Sequence, residues 1–205
     1  LQQLGNEGKT VVFLKDQNGI AALVALKDIV RDEAKKAVAA LKELGIDVMM
    51  LTGDNEATAK TIANEAGVTN YVAECLPETK VEHIKQYKQS YGNVGMVGDG
   101  INDAPVLTRA DVGISMGALG ADAAIEASDV VLMDDNLLKI VKAIKISKKC
   151  LGIVKQNIAF AIGVKVLCLI LTAIGLASMW LGIFADVGVM IIAVINAIRA
   201  LYVKN

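Results

Sequence analysis

The sequence predicts an α/β fold, a parallel sheet with helices on both faces, followed by two transmembrane α-helices. The first part of this prediction rests on helical and strand patterns that alternate from residue 28 onward, as they do in parallel sheets. The second part rests on hydropathy. The mean hydropathy of the 205 residues is +0.49, and residues 151–205 are almost wholly apolar, whereas residues 1–150 hold nearly all the charge.

Composition narrows the class of protein further. The net charge is −1, and no basic cluster with interleaved aromatic residues is present, so we expect no nucleic-acid partner. Cys75, Cys150 and Cys168 are scattered without CxxC spacing, which indicates a reducing compartment rather than a disulfide framework. The chain shows no signal peptide and opens without Met, as expected for part of something longer.

The elements are expected in the following order. Apolar runs at 10–14 and 20–24, joined through Asn18-Gly19, predict a β-hairpin. Asp32 is expected to cap the first helix, and Gly45 follows the end of that helix. Further helices are predicted over 56–67, from Pro77, and over 105–110, and strands over 46–51, 71–73, 94–97, 112–115 and 130–133.

The chain is organised around the stretch Met96-Val-Gly-Asp-Gly-Ile-Asn-Asp-Ala-Pro105. Asp99 and Asp103 follow a buried strand and lie four residues apart, with the Asn102 amide beside them. The carboxyl ends of parallel strands form the ligand crevice of open α/β sheets. Two acids on a turn rich in backbone N–H groups therefore suit Mg²⁺ and a phosphoryl group.

Two more strand ends carry matching polar residues. The Thr52 hydroxyl and the Gly53 amide follow the strand at 46–51 and can donate hydrogen bonds to phosphate oxygens. Lys80, after Leu76-Pro-Glu-Thr, can neutralise one phosphate charge. Taken alone, Thr52 is equally well a helix cap and Lys80 a solvated helix face. Together with the acidic turn they describe a phosphoryl site.

This set resembles the haloacid dehalogenase-like superfamily, whose sheet is Rossmann-like, and in particular its P-type ATPase branch. Thr52-Gly53-Asp54, Lys80 and the 98–103 segment match three motifs of the family, and Asp28-Ile-Val-Arg31 resembles a fourth near the nucleotide domain. The resemblance implies Mg²⁺ and ATP as cofactors. It implies that Asp99 binds Mg²⁺, with Asp103 as a secondary ligand, and that Asn102 and Asp103 hold the phosphoryl pocket. Thr52, Gly53 and Lys80 would contact the aspartyl-phosphate, and Asp54 would belong to the same catalytic set. The residues implied in cofactor binding are Asp28, Arg31, Thr52 and Gly53.

The sequence departs from the family in one respect. The nucleophile of the family is an Asp followed by Lys-Thr-Gly-Thr, and no such segment occurs here. The resemblance therefore implies three parts: 1–27 as the tail of a nucleotide-binding domain, 28–150 as the C-terminal part of a phosphorylation domain, and 151–205 as two final membrane helices. We expect this chain to be inactive without the remaining N-terminal part of the ATPase.

The apolar part predicts membrane spans over 153–174 and 181–201, each near the length that crosses the hydrocarbon of a lipid bilayer. The link 175–180 holds no charge and ends in Trp180, an expected interfacial anchor, while basic residues flank the far ends of both spans. The positive-inside rule then places both ends of this part in the cytoplasm. The expected location is a bacterial plasma membrane; two buried helices of a soluble protein are the alternative.

Each span contains one charge, Lys165 in the first and Asp186 in the second. An unpaired charge at membrane depth costs at least about 2.5 kcal/mol, and counted from the link the two depths differ by roughly 6 Å, which a lysine side chain can bridge. One interpretation is that the two residues simply neutralise each other. The other is that Asp186 ligates a transported cation and Lys165 is its counter-charge.

Lys165 together with Asp186-Val-Gly188 resembles the zinc/cadmium/lead subgroup of heavy-metal P-type ATPases. A carboxylate suits Zn²⁺ better than Cu⁺, which prefers sulfur ligands. The Cys-Pro-Cys ligands of that subgroup belong to an earlier helix, and Cys168 is either a minor ligand or a packed apolar residue.

The resemblance favours the C-terminal part of an ATP-driven exporter of Zn²⁺, Cd²⁺ or Pb²⁺. Two alternatives stay open. One is a membrane-anchored phosphatase of the same superfamily, for which residues 1–27 offer only Asp16 as a nucleophile. The other is a non-catalytic, metal-binding fragment of a split pump.

Overall fold

A computed structural model describes residues 9–17, 19–27, 29–117, 122–176 and 178–202, with only the backbone at Thr10 and Ile101. The predicted turn residue Asn18 and the predicted site residue Asp28 lie outside these ranges. The chain divides into two compact units, Leu1–Lys139 and Ile140–Asn205, and each is described by itself.

The first unit opens with the predicted hairpin. Strands β1 (Thr10–Asp16) and β2 (Gly19–Leu26) pair antiparallel, with an irregularity between Leu14 and Lys15. Its apolar side chains stay largely exposed; Leu14, for example, is 59% exposed.

The remaining strands of this unit are parallel, as predicted. β3 (Met49–Leu51) pairs with β4 (Asn70–Val72). β5 (Gly95–Gly98), β6 (Val112–Met116) and β7 (Val130–Leu132) form a second sheet in that order. Among the described strands β3 pairs only with β4 and β5 only with β6, so each has one edge without a partner.

Five helices connect these strands: α1 (Asp32–Glu43), α2 (Glu56–Ala66), α3 (Pro77–Tyr91), α4 (Ala104–Leu107) and α5 (Asp122–Glu126). Their order confirms the alternation predicted from the sequence. The last one, α5, was not predicted. A 3₁₀ turn over Ile101–Asp103 precedes α4, which ends at Leu107 rather than at 110, and just beyond it the Arg109 amide donates to the Val106 carbonyl three residues back.

Two local predictions about this unit are wrong. Asp32 is not the N-cap of α1: Arg31 occupies that position without a side-chain cap bond, and Asp32 lies in the first turn, where a carboxylate favours the helix dipole. The strand predicted over 46–51 contains only its last three residues. The reason is that the Ile46 amide closes the end of α1 by donating to the Leu41 carbonyl, which Gly45 permits with φ of +75°.

The core of the first unit is small and closely packed. Ala59, Ala63, Val106 and Leu107 are almost fully buried. Ser115 is also fully buried, and its hydroxyl lies 2.8 Å from the Ser128 hydroxyl, which satisfies its hydrogen bonding.

The second unit is helical and confirms the two predicted apolar helices. The long helix α6 (Leu138–Ala173) contains the first predicted span up to Ala173, and before that span it carries several lysines. The second span is α7 (Met179–Ile183), a π-helical turn (Phe184–Gly188), α8 (Val189–Ile198) and a final 3₁₀ turn (Arg199–Leu201). Both stretches are long and apolar enough to cross a membrane.

Candidate functional site

The acidic turn after β5 is built around the approach of Asp103 to Gly98. A Cβ placed on Gly98 would lie only 2.7 Å from the Cβ of Asp103, so the turn requires glycine at this position. The Asp103 amide donates to the Gly100 carbonyl at 3.0 Å, and α4 begins at the next residue. Gly98 thus lets Asp103 approach the end of β5 closely.

Lys80 and Asp103 form an ion pair in this turn. The Lys80 ammonium lies 2.9 Å from Asp103 Oδ1, and the two side chains are only 17% and 14% exposed. Lys80 is in the first turn of α3, whose start is set by Pro77 at the first helical position. The structure therefore brings two of the predicted site residues together across 23 positions of sequence.

The Thr52 loop follows β3 and is held by its own hydrogen bonds. The Thr52 hydroxyl donates to Asp54 Oδ2 at 2.7 Å and accepts from the Asp54 amide at 3.1 Å. The Cys75 amide donates to the Thr52 carbonyl, and the Glu74 amide to the Asp54 carbonyl. Because Asp54 uses the Thr52 hydroxyl proton, this hydroxyl must rotate before it can donate to a phosphoryl oxygen. Gly53 is exposed at the tip of the loop.

Asp99 lines a cavity of about 400 Å³. Its side chain is exposed and makes no ion pair or hydrogen bond within the described residues. The same cavity is lined by Arg31, Asp134, Asp135 and Asn136, among other residues. An accessible carboxylate next to further carboxylate and amide oxygens fits Mg²⁺, which commonly uses one or two protein carboxylates and keeps several waters.

Asp134 and Asp135 are residues that the sequence analysis missed. They follow β7, the last parallel strand. The other site residues were predicted from the same kind of position, directly after a strand. The Lys139 ammonium lies 3.2 Å from Asp134 Oδ2 and holds the pKa of that carboxyl below its usual range.

The remaining predicted site residue of the acidic turn, Asn102, is exposed.

The second unit carries the other predicted pair. Lys165 Nζ lies 3.4 Å from Asp186 Oδ1, and both side chains are exposed. Asp186 lies in the π-helical turn, where a Cβ on Gly188 would come within 2.7 Å of the Phe184 ring. Cys168 is half-buried, and the part of the chain that the structure describes contains no cluster of three potential metal-binding side chains.

A polar cluster on the same two helices was also missed by the sequence analysis. The Asn196 amide donates to Asn157 Oδ1 at 2.8 Å, and Arg199 donates to Asn196 Oδ1 at the same distance. The signal that could have identified this cluster is the presence of two carboxamides inside otherwise apolar stretches.

These features define a sheet with a phosphoryl-type acidic turn, joined in sequence to two apolar helices. A family model described as a haloacid dehalogenase-like hydrolase matches residues 1–111, and the chain belongs to this family. The fold and family expected from the acidic turn are thereby confirmed.

More specific similarity is to metal-transporting ATPases. The chain is 48% identical over 196 residues to the zinc-transporting ATPase of Bacillus subtilis (strain 168) and 42% identical over 203 residues to a probable cadmium-transporting ATPase of Staphylococcus aureus. These matches cover 95% and 98% of the chain but only 30% and 25% of the relatives. The crystal structure of a zinc-transporting PIB-type ATPase in an E2.Pi state matches with a TM-score of 0.89 and 36% identity, over 98% of this chain and 33% of the other.

The chain thus spans about a quarter to a third of the length of the proteins it matches. The matches agree with the resemblance to the C-terminal portion of a zinc or cadmium P-type ATPase that the motifs indicated.

Proposed function

We propose that this chain is the C-terminal part of an ATP-driven pump that exports a divalent heavy-metal cation, Zn²⁺, Cd²⁺ or Pb²⁺. One observation carries the proposal: two long apolar helices bring Lys165 and Asp186 to 3.4 Å in a chain that also holds the haloacid dehalogenase-like acidic turn. An intramembrane charge pair is expensive and is typical of an ion pathway. The zinc- and cadmium-transporting relatives support this choice of cargo.

In the phosphorylation unit, Asp99 and the secondary ligand Asp103 are the proposed Mg²⁺ site. Bound Mg²⁺ supplies charge stabilisation to a transferring phosphoryl group. Lys80 presents its ammonium to the same group, and Asp103 holds Lys80 in place through their contact of 2.9 Å. Thr52, Gly53 and Asp54 supply hydroxyl, amide and carboxylate groups at the end of β3, and Asn102 completes the pocket. Arg31 lines the Asp99 cavity, where we assign it, with Asp28, to nucleotide binding.

The phosphorylated Asp is proposed to lie in a segment of the pump outside this chain. Two features support this: no Asp-Lys-Thr-Gly-Thr segment occurs in the 205 residues, and β3 and β5 each have one edge without a partner among the described strands. One additional parallel strand between these edges would place an acid between Thr52 and Asp99. On this basis the chain alone has no ATPase activity.

In the membrane unit, Asp186 is the proposed ligand of the transported cation and Lys165 its counter-charge. When the cation leaves, the ammonium pairs with the carboxylate and so discourages return. The flanking lysines and Arg199 support a topology with both ends of the chain cytoplasmic. The bacterial relatives support a bacterial plasma membrane as the location.

The proposal is tested with Asp186→Ala in the complete pump. This variant is expected to lose zinc-stimulated ATP hydrolysis and to keep phosphorylation from inorganic phosphate, since the phosphorylation unit is untouched. Unchanged zinc stimulation refutes the assignment. A membrane-anchored phosphatase is distinguished by an immunoblot of the native protein, because the pump requires a band far larger than 21.6 kDa.

A further inference from the structure

Two carboxamides form hydrogen bonds between the two apolar stretches, in addition to the charge pair. Asn196 Nδ2 donates to Asn157 Oδ1 at 2.8 Å, and Asn157 Nδ2 donates to the Ala193 carbonyl at 3.0 Å. Arg199 donates to Asn196 Oδ1 at 2.8 Å. Both polar ends of the Asn157 side chain are therefore bonded to the other helix.

Such a pair restricts the register of the helices. In an apolar environment an amide that loses its partner has no water to replace it, so sliding of one helix by a turn leaves polar groups unsatisfied. Asn157 is bonded both to a side chain and to a backbone carbonyl of the opposite helix, so axial sliding and rotation each break a hydrogen bond.

This amide pair and the charge pair lie at two levels of the same antiparallel arrangement. Asn157 precedes Lys165 by eight residues, and Asn196 follows Asp186 by ten. At 1.5 Å per residue these intervals correspond to about 12 and 15 Å of straight helix. The second interval includes part of the π turn. A π turn contains one extra residue, so the second interval is shorter than for a straight α-helix and the difference between the two intervals is reduced.

We propose that Asn157 and Asn196 are positioning residues that hold Lys165 against Asp186. The inference rests on the proposed transport function. Because the Lys165 ammonium and the cation compete for the Asp186 carboxylate, the amide pair weakens cation binding and promotes release. Neither carboxamide contacts the cation.

A positioning role and a purely structural role predict opposite changes in the Kd for Zn²⁺. In the complete pump, stripped of metal, Asn196→Leu is expected to bind Zn²⁺ with a Kd lower by about three-fold or more, because interhelical hydrogen bonds contribute modestly each. Asn157→Leu and the double variant are expected to give the same Kd as Asn196→Leu, since the two residues act as a unit. Lys165→Met is expected to lower the Kd as well, and adding Asn196→Leu to it changes nothing further.

Thr172→Val is the matched control. It removes a polar group from the same helix, but the Thr172 hydroxyl bonds only within that helix, to the Cys168 carbonyl at 2.8 Å. Its Kd is expected to equal that of the unmodified pump, and phosphorylation from inorganic phosphate reports folding of each variant.

Several outcomes overturn the proposal. A residue that merely supports the fold would raise the Kd when replaced, so a raised or unchanged Kd in Asn196→Leu and Asn157→Leu contradicts a positioning role. An unchanged Kd in Lys165→Met removes the competition on which the role depends. Failure of the proposed function itself is seen separately, as an unchanged Kd in Asp186→Ala.

Discussion

Lys80 Nζ lies 2.9 Å from Asp103 Oδ1 and connects the first turn of α3 to the acidic turn after β5. Both side chains are mostly buried, so each charge depends on the other for its satisfaction. The pair therefore has a structural role in addition to its proposed one towards phosphate.

Replacement of Lys80 by Ala is expected to lower the free energy of unfolding by about 1–3 kcal/mol, because it leaves the Asp103 carboxylate without its partner. The measurement is urea unfolding of the purified chain. Lys85→Ala is the control, since Lys85 is an exposed lysine of the same helix. Equal stability of the two variants would show that the ion pair contributes nothing.

Replacement of Gly98 by Ala is expected to displace Asp103, because the new Cβ would lie 2.7 Å from the Asp103 Cβ. The expected loss of stability is about 1–3 kcal/mol, as for other cases of overpacking. In the complete pump the level of phosphoenzyme should fall as well.

The matched control for Gly98 is Gly95→Ala on the same strand. A Cβ there would meet only the Val112 carbonyl oxygen at 3.7 Å, which is an ordinary contact. If Gly95→Ala and Gly98→Ala lose the same stability, the close approach of Asp103 is not what requires glycine in this turn.

Replacement of Gly188 by Ala is expected to disturb the π turn that holds Asp186, since the Phe184 ring lies 2.7 Å from the position of the new Cβ. Zinc-stimulated hydrolysis by the complete pump should fall. It should recover in part when Phe184→Ala is added, because the obstructing ring is then absent. Gly182→Ala, where the space around the Cβ is open, should be neutral, and a loss as large in this control would contradict the explanation.

Asp111 gives a prediction about pH. The Lys88 ammonium, 2.8 Å away, and the Val94 N–H hold the pKa of the Asp111 carboxyl below its usual range. A depressed folded-state pKa stabilises the fold above the unfolded-state pKa, and this contribution is lost as the pH falls through the folded-state value. Carboxyl NMR titration should show a rise in the Asp111 pKa in Lys88→Met and no change in Lys85→Met. An unchanged pKa in Lys88→Met would exclude the ion pair as its main cause.

Local patterns in the sequence predicted the elements and the residue types of the site. Strand and helix periodicity depends on neighbours a few positions apart, so the alternation from residue 28 onward could be identified without tertiary information. The same applies to the 98–103 segment, because the glycines and carboxylates that it needs are contiguous in sequence. Hydropathy likewise predicted both apolar helices, because the mean hydropathy of a segment depends only on its own residues.

Contacts between distant segments were decided only by the tertiary structure. Nothing in the sequence around Lys80 specifies that its ammonium reaches Asp103, because that contact depends on how α3 and the acidic turn are carried by separate strands. The length of β3 and the start of α1 at Arg31 depend on which backbone hydrogen bonds form. The role of the acids after β7 depends on where the strand ends converge. The π turn at Asp186 and the bond between Asn157 and Asn196 arise from packing of one apolar helix on another, which periodicity along a single helix does not encode.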